Sequence, residues 1–185
     1  MCLYRTSIEH NAKTIQALYK AQYYTYDKAR IILRFSAGLA MIIICAASNL
    51  YLWLKGLLLL AGAWLVSVPD FPAQMRADKV LQARKNFPVM NYEFHDEFII
   101  ISGEGSMKIS YPQIKNLVHD KEYYYMFIAR DSVCMMQKSS LAPNEQENFT
   151  KFISLKTGQN WKQNKFFLAM NLTDIRELCK TLTKD

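Results

Sequence analysis

Histidine is scarce in this chain, three in 185 residues, and its four cysteines are scattered. Cys2, Cys45, Cys134 and Cys179 include no C-x-x-C pair, so neither a zinc ribbon nor a dithiol redox motif is written in the sequence, and free thiols are expected. Cys2 has no hydrophobic lipoprotein signal before it. Glycine is sparse, at six. Its one cluster, Ser102-Gly103-Glu104-Gly105-Ser106, lacks the Lys-Ser/Thr of a phosphate loop and the fingerprint of a dinucleotide fold, and reads as a hairpin turn. No Ser or Cys stands in a nucleophile elbow. Repeats and low-complexity tracts are absent. A further absence lies between Phe35 and Val68, where there is no Asp, Glu or His and the single charge is Lys55. Coupled transport normally needs polar groups at membrane depth, so this stretch is no transport pathway by itself.

What that stretch does contain is apolar residues. A bilayer core of about 30 Å takes roughly 20 helical residues. Ile31–Asp70 is too long for one crossing and suits two, near Ile31–Ser48 and Leu50–Val68, with the small and polar Ala46-Ala47-Ser48-Asn49 as the turn. A turn at Lys55-Gly56 would leave a short second span. Pro69 stops the second helix. A buried hairpin of a soluble protein would not be apolar all round for this length. A cleaved signal peptide would not start thirty residues in and be followed at once by another apolar run. Small residues, Gly38, Ala40, Ala46, Ala47 and Ser48 on one helix and Gly56, Ala61, Gly62 and Ala63 on the other, permit close packing either within one chain or between two, the second giving a homo-oligomer.

Cations flank the hairpin. Lys20, Lys28, Arg30 and Arg34 precede it, and Arg76, Lys79, Arg84 and Lys85 follow, so both termini are expected in the cytosol. Lys28, Arg30, Arg34, Arg76, Lys79, Arg84 and Lys85 are the candidate membrane-surface contacts. The net charge of +7 is accounted for by sorting and anionic lipid, and no nucleic-acid partner is expected.

The remaining sequence divides readily. Residues 1–30 hold a short strand at Cys2–Thr6 and a helix opened by the capping box Thr6-Ser7-Ile8-Glu9, with Ile15, Leu18 and Tyr19 at helical spacing. That helix is expected to run into the first span, either as a partner-binding helix or as a stem against its own C-terminal domain. Residues 31–70 are the hairpin, and 71–90 a basic exit with a short helix at Gln74–Lys85. From Asn91 the period becomes two. Strands are expected at Tyr92–Phe94, Phe98–Ile101, Met107–Tyr111, Ile114–Val118, Glu122–Ala129 and Val133–Gln137, forming a curved antiparallel sheet or partial barrel. A helix from Pro143, with Phe149, Phe152 and Ile153 as its face and Gly158 as its stop, closes residues 91–158. Residues 159–170 are ambiguous, and 159–185 end in a helix capped by Thr173 with Ile175, Leu178, Cys179 and Leu182 on its face. The fold class is thus an α+β membrane protein.

Three segments carry a resemblance to a known family: Tyr92-Glu93-Phe94-His95-Asp96-Glu97-Phe98-Ile99, Met107-Lys108-Ile109-Ser110-Tyr111-Pro112-Gln113-Ile114 and Glu122-Tyr123-Tyr124-Tyr125-Met126-Phe127-Ile128, together with the helix at Asn144–Leu155. With the hairpin, they resemble the YcxB-like family of small bacterial membrane proteins over most of residues 3–157. The resemblance implies a PH-like β domain closed by a helix, with the N-terminal strand completing its sheet. It brings no catalytic residues and no cofactor. Residues 159–185 depart from it.

His95-Asp96 and His119-Asp120 invite an acid-base or metal reading, but two histidines without further ligands do not make a zinc site, and both pairs read as polar strand ends. Tyr123, Tyr124 and Tyr125 are a candidate partner surface; strand alternation predicts one ring outside. The expected function is a membrane-anchored, non-catalytic interaction or regulatory protein whose cytosolic domain binds a protein, peptide or lipid headgroup. The alternatives are self-immunity against a secreted toxin and, last, a membrane enzyme using the His-Asp pairs.

Overall fold

The computed structural model describes residues 2–84 and 86–164. Lys85 and the helix expected after Thr173 lie outside the described residues. The chain begins with a strand, β1 (Cys2–Glu9), and then a run of helices: α1 (Ala12–Tyr26), α2 (Lys28–Ala47), α3 (Leu52–Ser67) and α4 (Phe71–Ala83). Strands β2 (Val89–His95), β3 (Phe98–Ser102), β4 (Ser106–Ser110), β5 (Asn116–His119), β6 (Tyr123–Ala129) and β7 (Ser132–Gln137) follow, then α5 (Pro143–Thr157) and β8 (Trp161–Gln163). The protein is α+β.

The strands form two four-stranded sheets, ordered β1-β2-β3-β4 and β7-β6-β5-β8. The first is antiparallel throughout; in the second, β8 runs parallel to β5. β1 completes the first sheet, pairing with β2 from Cys2 opposite His95 to Glu9 opposite Val89, although the entire helical segment separates them in sequence. The core is aromatic. Phe149 of α5 stands edge-on to Tyr4 of β1 and Phe94 of β2, with ring centroids at 5.2 and 5.1 Å, and also meets Tyr124 of β6 at 5.8 Å. Both sheets are thereby joined through α5, which ends as expected at Gly158, in the left-handed region at φ 67°.

α2 and α3 pack as an antiparallel hairpin joined through Ser48–Tyr51. Glycine sets the closeness of the contact. A Cβ on Gly38 would lie 2.9 Å from the Gly62 carbonyl oxygen, and one on Gly62 would lie 2.8 Å from that of Gly38. No side chain fits there, so the backbones touch. The large residues point the other way: Leu33, Leu39, Ile43, Ile44, Leu57, Leu60 and Trp64 are exposed. Among the described residues, α2 alone is long and apolar enough to cross a membrane by itself, with 20 residues and mean hydropathy 1.9 over its 18-residue window. α3 has 16 residues, about 24 Å of helix, and passes the same test only together with α4, across a 70° bend.

Local expectations gave way to tertiary pairing at several points. The Thr6–Glu9 capping box is not used. Thr6 is buried in β1 and donates its hydroxyl to Ser140 at 2.6 Å, so sheet pairing claims these residues. Asn11 caps α1 instead: its side chain accepts from Thr14 N–H at 3.0 Å while Thr14 Oγ1 accepts from Asn11 N–H at 2.7 Å. α1 does not run into α2, because Asp27 interrupts it. α4 starts at Phe71 rather than Gln74, and β5 at Asn116 rather than Ile114, where the turn Tyr111–Gln113 takes up the preceding residues.

Candidate functional site

α1 packs on α4 and the start of α2 on one side and on the β domain on the other. Toward the domain, its Ala17, Leu18 and Tyr26 pack on the core, with Tyr26 at 5.4 Å from Phe127 of β6. Its Gln22 donates to the Arg130 carbonyl and to Asp131, both at 2.7 Å. Of the two roles considered for this helix, the stem against its own domain is the one seen.

This cover corrects the tyrosine surface. Tyr123, Tyr124 and Tyr125 are all buried, so none offers an open ring face. Alternation does place Tyr124 on the inner side, against Phe149 and Trp161, and Tyr125 opposite, stacked toward Phe127. The outer side is not solvent, because α1 lies there. A sheet covered on both faces buries every residue of a central strand.

Between α1 and the β5–β6 turn opens a cleft of about 350 Å³, lined by Lys13, Ala17, Lys20, Tyr24, Asp120, Lys121, Glu122, Tyr123 and Asn164. Its floor is apolar and aromatic and its rim is lysine-rich. Asp120 serves the turn: Oδ1 accepts from the N–H of Glu122 and Tyr123, and Oδ2 accepts from the Tyr125 hydroxyl at 2.6 Å. Glu122 holds Lys13 at 2.6 Å, which raises the lysine's pKa. Lys20 pairs at 2.8 Å with Asp70, in the bend directly after α3. The cleft therefore ends where the hairpin does. A neighbouring recess, lined by Tyr24, Lys28, Asn116 and Lys162 among others, extends it around β8.

At the break between α1 and α2, Asp27 is 4% exposed. Arg130, from the β6–β7 link, donates to both its oxygens at 2.8 and 2.7 Å; Arg76 of α4 reaches it at 3.2 Å and Arg30 at 3.4 Å. One carboxylate thus ties α2, α4 and the second sheet. Charge-assisted bonds of this kind are the strong ones. The candidate headgroup cations divide accordingly. Arg30 and Arg76 turn to Asp27, Arg34 lies over the Trp64 ring at 5.7 Å, and Arg84 pairs with Glu104. Lys28 lines the recess and Lys79 is exposed on α4.

The two His-Asp pairs are on different sheets. His119 ends β5, with its Nδ1 3.3 Å from Lys138 Nζ, and burial and then that lysine lower its pKa. His95 ends β2, stacked on Phe98 at 4.7 Å, and Asp96 turns to Lys156 at 2.6 Å. No acid-base pair joins them.

No curated protein and no solved structure matches the chain. A family model described as YcxB-like protein matches residues 94–153, from β2 into α5, and over that span the resemblance read from the strand and helix segments is borne out.

Proposed function

We propose that this protein is a membrane-anchored, non-catalytic binding module. The α2–α3 hairpin sits in the bilayer as two spans with its tip outside. The PH-like β domain stays in the cytosol and takes an acidic ligand in the cleft beside α1. One observation carries the anchoring: large apolar side chains face outward from a hairpin whose inner contact is glycine on glycine. An aqueous surrounding would penalise that arrangement, and hydrocarbon would not. Lys55 supports the topology, since it lies one turn inside α3, where its stem can reach the outer headgroups.

The ligand reading rests on Lys121, with Lys13 and Lys20 beside it already held by Glu122 and Asp70, around an apolar floor that holds no nucleophile beside a base. Lys20 of that cleft pairs with Asp70 where the hairpin ends, so an anionic lipid headgroup is the occupant nearest at hand. A single cysteine at Tyr51, in a chain otherwise free of cysteine, should react with an impermeant maleimide in intact cells, and one at Asn164 only after permeabilisation. Equal labelling of both removes the hairpin topology. A photoreactive group at Lys121 in native membranes should capture anionic lipid. Capture of a protein alone replaces the headgroup with a peptide partner, and no adduct removes the cleft as a binding site.

A further inference from the structure

Cys2, Glu93 and His95 stand together at the open end of the β1–β2 pair. Sulfur, carboxylate oxygen and imidazole nitrogen all lie within 4.8 Å of one another. Strand geometry brings them there. Glu93 and His95 are two apart on β2 and share a face. Arg5 opposite Glu93 and Tyr4 opposite Phe94 set a register that would put Leu3 opposite His95. A bulge between Cys2 and Tyr4 shifts the pairing, so that Cys2 faces His95 instead.

We propose that these residues bind a divalent transition-metal ion of the zinc class. Thiolate and imidazole select such an ion over calcium or magnesium, and the carboxylate completes a three-ligand set with one position left for solvent. Around a tetrahedral zinc the ligand atoms lie roughly 3.3–3.6 Å apart. His95 Nε2 and Glu93 Oε2 are already 3.7 Å apart. That is too long for a hydrogen bond between them. His95 Nε2 is shielded from solvent and has no hydrogen-bond partner, the condition of a ligand atom awaiting its ion.

The surroundings hold each ligand in place. Arg5 binds Glu93 Oε1 at 2.6 Å and leaves Oε2 toward the histidine. The Phe98 ring fixes the imidazole plane, and the Tyr111 hydroxyl donates to the His95 carbonyl at 2.5 Å. Neighbours that orient first ligands are a regular part of metal sites. Asp96, next along, is occupied by Lys156. On binding, the Cys2 thiol releases its proton to solvent and gives up its bond to the Tyr4 carbonyl as the sulfur–metal bond forms. Thiolate and carboxylate then balance the two positive charges of the ion. The ion would clamp the first residue of β1 to the last of β2.

The test uses the full chain, purified in detergent and stripped of metal. Zn2+ competed against a chromophoric chelator should bind at one equivalent per chain, and Co2+ should give a sulfur-to-cobalt charge-transfer band. Cys2→Ser should abolish that band. His95→Ala and Glu93→Gln should each weaken Zn2+ binding at least about 10-fold, while His119→Ala should leave it unchanged. Should His95→Ala unfold the domain, Cys2→Ser at the strand terminus still carries the test. Absence of stoichiometric binding, or a band and affinity that survive Cys2→Ser, overturns the proposal.

Discussion

The hairpin and the β domain bury opposite things. Where α2 meets α3 the contact is made by glycine, and bulk is turned outward, with Leu52 at the hairpin tip 87% exposed. In the domain bulk is turned inward: Phe149 is 0% exposed and touches rings from three strands. One region turns its bulk to its surroundings and the other to its own interior. The difference shows why a hydropathy pattern located the first so directly and the second only in outline. A run of apolar residues announces itself in one dimension, whereas an aromatic core exists only once distant strands have paired.

The contrast can be broken most severely from the domain side. Phe149→Ala should cost about 3–5 kcal/mol and unfold the domain in mild denaturant, read by urea titration of tryptophan fluorescence, with α2–α3 left in the membrane fraction. On the hairpin side the damaging change is an addition. Gly38→Val forces the two backbones apart and should cost about 1–3 kcal/mol by overpacking, seen as faster protease cleavage of the hairpin in detergent. Gly56→Ala, which meets nothing within 4 Å, should not differ from the parent. Equal effects at the two glycines would end the claim that closeness at Gly38 holds the hairpin.

Between the regions, Asp27→Asn should cost about 1–3 kcal/mol, because three arginines lose their shared charge but remain partly solvated. Its sharper signature is loss of coupling. Amide exchange should quicken in α1 and at the β6–β7 link together while the rest of each sheet stays protected.

Acid should act on the domain more gently. Burial lowers the pKa of His10, and burial with the nearby Lys138 lowers that of His119. The unfolded chain then binds protons near pH 6.5 that the folded chain refuses. Stability should therefore be full above that pH and fall as pH drops from about 6.5 toward the lower folded values. His119→Gln should flatten part of the slope in denaturant titrations across that range. The smallest effect belongs to the thiols. Burial pushes Cys134 up to about 12, so in the folded chain it should resist maleimide while half-exposed Cys2 reacts.

Much of this was legible from residue patterns, including the hairpin, Lys55 near its tip, most strand centres, and the helix closed by Gly158. The pairing of β1 with the later sheet was also expected, from the family resemblance. What could not be read was set by partners far along the chain. Thr6 looked like a helix cap because Ser140 was out of sight. The tyrosines of β6 looked half exposed because nothing local reveals that α1 covers them. Asp27 looked like one more charge among flanking cations, since Arg76 and Arg130 lie 49 and 103 residues away. His95 gained Cys2 as a neighbour only through a bulge that no periodicity records.

The pairing of β1 with β2 also imposes an order on biosynthesis. Glu9 has no partner until Val89 has been made, and the four helices α1–α4 all lie between them. At synthesis rates of roughly 5–20 residues per second that is a delay on the order of ten seconds. For that time β1 is an unpaired strand with α1 beside it, and the domain lacks an edge. A ribosome that has not yet delivered the hairpin cannot release a finished domain, so completion of the sheet reports that α2 and α3 have already been made.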